Sequence, residues 1–246
     1  MSDRPQLSER DNRSLAQLRL VHLADSAFPI GALAHSFGLE TLVDSGSLKV
    51  QDLAAFFEAC LEESGVLEAV FFRAAFSLGL SEAGAFGVCL WLECNDRLSA
   101  LKPAREARTG SAVLGENLLN AVLAAEDLPL VRRALTAARQ IRDGRRTLVH
   151  HSAAFGLCAG ALRLREEDAV LAYLHQWLAS LVSACQRLMP LGQTAATRIL
   201  WDLKPAIIRA VALGAESTVE DVCCFTPQLE WGAMEHPALT TRLFIS

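Results

Sequence analysis

Apolar side chains return along this chain at the spacing of one helix face. Leu53, Phe56, Phe57, Cys60 and Leu61 form the first clear stripe, with Asp52 ahead of them as N-cap. Ser64-Gly65 interrupts it, and Leu67, Val70, Phe71, Ala74 and Leu78 resume the pattern. Ser81 opens another helix carrying Ala85, Val88, Cys89 and Leu92. Pro103 suits the first turn of the next. Its stripe (Ala107, Gly110, Ser111, Leu114, Leu118) begins with small residues. Small side chains let two backbones approach closely, so this helix is expected at the centre of a tight packing. Pro129 starts a further helix, closed by Asp143-Gly144. Helices are also predicted over 152–164, 167–189 and 194–213, the last broken near Lys204 by Pro205.

No period-two run is bounded by hairpin turns, and there is no internal repeat or long linker. The expected fold is all-α: one single-domain bundle of about ten helices joined by short connections. Residues 15–216 hold the helical domain. Residues 1–14 form a flexible N-terminal segment and residues 217–246 a C-terminal tail. Both ends fall outside the strongest periodicity and are expected to stay mobile until a partner binds.

Composition narrows the function classes. The chain has 246 residues, 52% of them apolar, which is enough for a sizeable core. Its net charge of −5 is the wrong sign for a nucleic-acid footprint. Arg132, Arg133, Arg139, Arg142, Arg145 and Arg146 make one basic cluster, read as a solvated helix surface and loop open to an acidic partner. The polar first twenty residues lack the apolar run of a signal peptide. Residues 169–186 carry no formal charge, but His175, Gln176, Ser180, Ser183 and Gln186 would be costly in lipid. They read as a central bundle helix rather than a membrane span. Five of the seven cysteines (Cys60, Cys89, Cys94, Cys158, Cys185) sit singly in apolar helical patterns, where Cys behaves as a small hydrophobe. No disulfide framework is indicated, and a reducing, cytoplasmic setting is expected.

The usual catalytic signatures are missing. There is no Cys-x-x-Cys, Glu-x-x-His or His-x-x-x-His spacing, no phosphate-binding glycine loop and no Gly-x-Ser-x-Gly elbow. His150-His151 and Cys223-Cys224 are vicinal pairs. Adjacent side chains leave a helix about 100° apart, so a structural or surface role is favoured over weak, transient metal ligation at an interface. No cofactor is expected.

Two segments resist a plain core reading. Phe28-Pro29-Ile30-Gly31 breaks one helix and starts another, leading into His35, Ser36 and Glu40, where Ser36 and Glu40 share a face. That face is either a capped helix start with a solvated carboxylate or a contact surface. Leu188-Met189-Pro190-Leu191-Gly192-Gln193-Thr194 has the form of a break between buried helices. There Gln193 either caps the second helix or bonds across the core.

These segments carry a resemblance. Leu23 to Gly31, with Ala34-His35-Ser36 and Gly38-Leu39-Glu40, is similar to the N-terminal signature of the UreF family of urease accessory proteins. Pro190-Leu191-Gly192-Gln193-Thr194 resembles its second motif. Met234-Glu235-His236 and Arg242-Leu243-Phe244 resemble the family's C-terminal end. The sequence departs from the pattern at Phe37, where a polar residue is common, and at Ser152, where a proline is usual. The resemblance implies an all-helical, dimeric, non-catalytic scaffold. With UreD (UreH in some systems) it recruits the GTPase UreG and supports nickel delivery into apo-urease. It implies candidate partner-binding or passage-lining residues at Pro29, Gly31, His35, Ser36, Glu40, Gly192, Gln193, Arg242, Leu243 and Phe244, with the C-terminal residues docking on UreD. The alternative is a GTPase activator supplying an arginine in trans, with Arg73, Arg139 or Arg142 as donor. A third class, a small-molecule enzyme unrelated to urease, would need a deep pocket with paired titratable side chains.

Overall fold

Ser8 starts the first helix, α1 (Glu9–Leu23), its hydroxyl oxygen accepting the N–H of Asp11 while the Asp11 carboxylate takes the N–H of Ser8. The computed structural model describes residues 8–81, 84–142 and 144–245. The helices that follow are α2 (Leu39–Asp44), α3 (Leu53–Cys60), α4 (Val66–Leu80), α5 (Gly84–Ala100) and α6 (Arg105–Ala125). The remainder are α7 (Pro129–Arg139), α8 (His151–Ala161), α9 (Glu166–Leu188), α10 (Gln193–Asp202), α11 (Lys204–Glu216) and α12 (Pro227–Glu235). The fold is all-α. Among the described residues the only extended pairing is an isolated bridge between Arg142 and Arg145.

Helix α8 is the axis. Every residue from His151 to Gly160 is buried. Its sequence, His-Ser-Ala-Ala-Phe-Gly-Leu-Cys-Ala-Gly-Ala, carries no Asp, Glu, Lys or Arg, so no face needs water. Helix α4 lies against it at glycine contacts. A Cβ on Gly156 would sit 2.2 Å from the Phe72 carbonyl oxygen, and one on Gly160 2.2 Å from that of Phe76. The expected tight packing of α6 is also present: a Cβ on Gly115 would lie 1.9 Å from the Val149 oxygen. It serves the approach to α8, however, which is the helix enclosed on all sides. Helix α6 keeps Arg105 and Thr109 exposed.

Several boundaries differ from the pattern-based reading. Ser64-Gly65 does not break the chain. A π-helical turn over Leu61–Gly65 joins α3 to α4, and its extra residue re-phases the apolar stripe. Helix α7 stops at Arg139, and Arg142 and Arg145 then exchange two backbone hydrogen bonds (2.8 and 3.0 Å) around Gly144 at φ +78°. Asp143 lies outside the described residues. Cys89 faces outward, whereas Cys60, Cys158 and Cys185 are buried. The break expected at Pro205 is where α10 passes into α11. Helix α9 covers the stretch expected as a central helix over 169–186 but buries one face only, with His175 exposed, and among the described residues no helix is long and apolar enough to cross a membrane.

Helix α1 begins at Glu9, ahead of the expected start of the helical domain at residue 15, and the C-terminal segment contains α12, which packs on α2. A Cβ on Gly38 would stand 2.5 Å from the Leu229 oxygen, and one on Gly232 2.5 Å from the Gly38 oxygen. The two glycines therefore bring backbone onto backbone.

Candidate functional site

Gly38 also decides where α2 begins. Its φ is +93°, and Phe37 before it sits at +51°, both in the left-handed region that ends or starts helices rather than continuing them. The helix starts at Leu39, so Ser36 and Glu40 do not share a helix face as the spacing suggested. Ser36 is instead fully buried in the preceding loop, its hydroxyl without a hydrogen-bond partner among the described residues. His35 is buried beside Phe37, ring centroids 5.7 Å apart, and burial lowers its pKa.

Glu40 is neither solvated nor exposed. Its carboxylate accepts the backbone N–H of Leu243 at 2.6 Å and that of Phe244 at 3.2 Å. It also lies 2.8 Å from Nε2 of His236, whose Nδ1 is 2.6 Å from a Glu106 oxygen. The His236 ring is thus held between two carboxylates, one at each nitrogen. Arg242 stands 3.7 Å from the other Glu106 oxygen. The N–H of Ile245 donates to the Ala34 carbonyl at 2.9 Å, and the Arg187 guanidinium lies 4.0 Å over the Phe244 ring. The chain end is thus clamped by its backbone. Phe244 points inward and is buried, while Leu243 (61% exposed) and Ile245 (70% exposed) point outward.

The structure therefore brings Glu40 together with Arg242, Leu243 and Phe244, residues about two hundred positions apart in sequence. His35 and Ser36 lie in the loop leading to this site. Pro29 and Gly31 are exposed on the turn before it, Gly31 at φ +82°. Gly192 and Gln193 do not join them. Gly192 is the N-cap of α10, and Gln193 is an exposed first residue whose side chain caps nothing. The motif reading missed Glu106 and Arg187, which sit in ordinary amphipathic stripes without a local signal.

A second polar cluster lies in the core. Glu68, buried, pairs with Lys102 at 2.5 Å and accepts the Tyr173 hydroxyl at 3.0 Å. Burial pushes the Glu68 pKa up, but the Lys102 charge and these hydrogen bonds outweigh it and hold the group at about 2. His150 accepts or donates at both ring nitrogens, to Ser99 (2.7 Å) and Ser111 (3.2 Å), and its N–H donates to Asn95 (2.8 Å). Burial lowers His150 to about 3 and His151 to about 4, so both are neutral core groups. Among the described residues no three His, Cys, Asp or Glu side chains are grouped to hold a metal ion. Cys223 is exposed, and Cys224 lies 3.5 Å from the Ser64 hydroxyl.

Comparison with known proteins assigns the chain. The UreF family model matches residues 49–204. The chain belongs to the UreF family. It is 31% identical to the urease accessory protein UreF of Nostoc sp., over 93% of this chain and 95% of that protein. It is 33% identical to UreF of Picosynechococcus sp., over 94% of this chain and all of its relative. UreF of Haemophilus influenzae shares 31% identity over 96% of this chain and 98% of its own length. One departure from the UreF pattern has a structural account. Ser152 is the second residue of α8, in a first turn where the backbone N–H has no intrahelical partner. Serine and proline both fit there.

Proposed function

We propose that the protein is a urease maturation factor: a non-catalytic, dimeric, cytoplasmic scaffold. With UreD (UreH) it recruits the GTPase UreG and supports nickel delivery into apo-urease, nickel being the cargo of the assembly. Family membership supports the maturation role. The observation that carries the scaffold reading is the form of the chain end. Its backbone is clamped by Glu40 and Ala34 while Leu243 and Ile245 are turned out, an ordered apolar edge offered to a partner. Docking on UreD through this edge is tested by co-expression with the cognate UreD, comparing the intact chain with one truncated before Thr240. A stable soluble complex of the intact chain alone supports it. Equal binding by both removes the tail from the interface, and no binding by either overturns the scaffold reading.

GTPase activation is the second reading, and one observation singles out a donor. Arg73 is engaged by Glu166 and Glu167, and Arg139 by Glu116 and Asn120. Arg142 is exposed at the turn after α7, with no side-chain ion pair among the described residues. An Arg142→Ala variant that leaves UreG turnover unaltered removes Arg142 as the donor.

A further inference from the structure

Beneath α12, a cavity of about 80 Å³ opens between α4, α6, α8 and α9. That is room for several waters or one molecule of about four heavy atoms. Its walls include Glu68, Lys102, His151, Tyr173 and Gln176. Two buried polar atoms on those walls have no hydrogen-bond partner among the described residues: Nε2 of His151 and Oε1 of Gln176. Unpaired buried polar groups are rare and costly, and two on one cavity mark a place built to be filled.

The partners already made define the missing chemistry. The Gln176 amide nitrogen is spent on the carbonyls of Leu23 (3.4 Å) and Asp25 (3.3 Å), so the side chain is oriented and its free oxygen can only accept. The Tyr173 hydroxyl donates to Glu68 and offers no hydrogen. Lys102 gives one of its three N–H groups to Glu68 and keeps two. An occupant must therefore donate toward Gln176 and accept from Lys102. A carboxylate has no hydrogen for Gln176, and ammonium has no acceptor for Lys102. The Glu68 and Lys102 charges already cancel, which leaves no excess charge for an ion. A neutral primary amide carries a carbonyl and an N–H₂ group on one carbon and meets both demands. We propose that this cavity is a binding site for a small neutral primary amide of the size of acetamide or urea.

The test is ligand-observed NMR titration of the full chain with acetamide and with ¹³C-urea, at concentrations well below denaturing, using acetate and ammonium as controls. So few heavy atoms limit affinity, and saturation is expected on the order of millimolar. Gln176→Met is expected to weaken binding at least about tenfold. Ala107→Leu, which fills the cavity from its half-buried rim and leaves every polar group in place, is expected to abolish it. Matching circular dichroism and melting curves establish that each variant is folded. Saturable amide binding lost in Ala107→Leu supports the site. Three outcomes overturn it: no saturation by either amide, equal binding by acetate or ammonium, or binding indifferent to Ala107→Leu. In the first case the cavity holds ordered water alone.

Discussion

The α4–α8 contact and the clamp on the C-terminal segment both rest on glycines that let backbones meet, but they are sealed by opposite means. Between α4 and α8, Gly79, Gly156 and Gly160 bring the helices together, and the surrounding side chains are apolar, with Phe72, Phe76 and Phe155 in ring contact nearby. At the clamp, Gly38 and Gly232 make the approach, and the seal is one buried carboxylate taking two backbone N–H groups and an imidazole. The first contact is non-directional and spread over many atoms. The second concentrates its stabilisation in a few directed bonds, so it can be lost as a unit while the bundle stays folded.

The largest expected effect comes from breaking the apolar side of this comparison. Gly156→Val drives a branched side chain into the Phe72 carbonyl, which neither helix can evade without separating. A loss of more than about 4 kcal/mol is expected, read as failure to fold or a collapsed chemical-denaturation midpoint. Glu40→Ala is the matching test of the clamp. It strands two backbone donors and His236, for a local cost of about 2–4 kcal/mol. Hydrogen exchange should accelerate over residues 236–245, with little change at α8. If the whole bundle melts with Glu40→Ala, the clamp is part of the core and the contrast fails.

Acid sharpens the difference within the core. His150 and His151 titrate near 6.5 when unfolded but are lowered to about 3 and about 4 when buried. Below pH 6.5 the unfolded chain binds protons that the native state refuses, so stability falls as pH drops from 6.5 toward those values. Glu68 acts in the same direction at lower pH. Its depressed pKa contributes stability that is present above its unfolded value near 4.5 and lost as pH approaches about 2. The guanidinium midpoint should decline from pH 7 to pH 4.5 by an amount corresponding to on the order of a few kcal/mol. A flat profile would show these groups to be solvated. The smallest effect is expected from Arg242→Ala. Its 3.7 Å pair with Glu106 is half-exposed and worth about 0.5 kcal/mol or less, so tail protection should barely change.

Much of the fold was legible along the chain because helices are local. The stripes from Leu53 to Leu78, the helix start at Pro129, the break near Pro205 and the uncharged helix over residues 169–186 all follow from spacing and side-chain type. The errors fell where a neighbour overrides local preference. Ser64-Gly65 looks like an interruption, yet Gly65 lies against Ala210 of α11, and the helix passes through as a π turn. Ser36 and Glu40 looked like one helix face until the left-handed Phe37-Gly38 pair separated them.

The candidate site was legible in its parts and not in its assembly. Glu40 and the Arg242-Leu243-Phe244 end stood out through resemblance, but nothing in their own segments says that one binds the other. The helical class, the apolar faces and the missing catalytic motifs can be read along the chain, because residues within a few turns of each other set them. Packing places α8 at the axis, sets Glu40 against residues 243–244 and gathers Glu68, Lys102, His151 and Gln176 on one cavity. Those pairings join residues tens to hundreds of positions apart, and which distant groups meet depends on how whole helices pack, which no local pattern encodes.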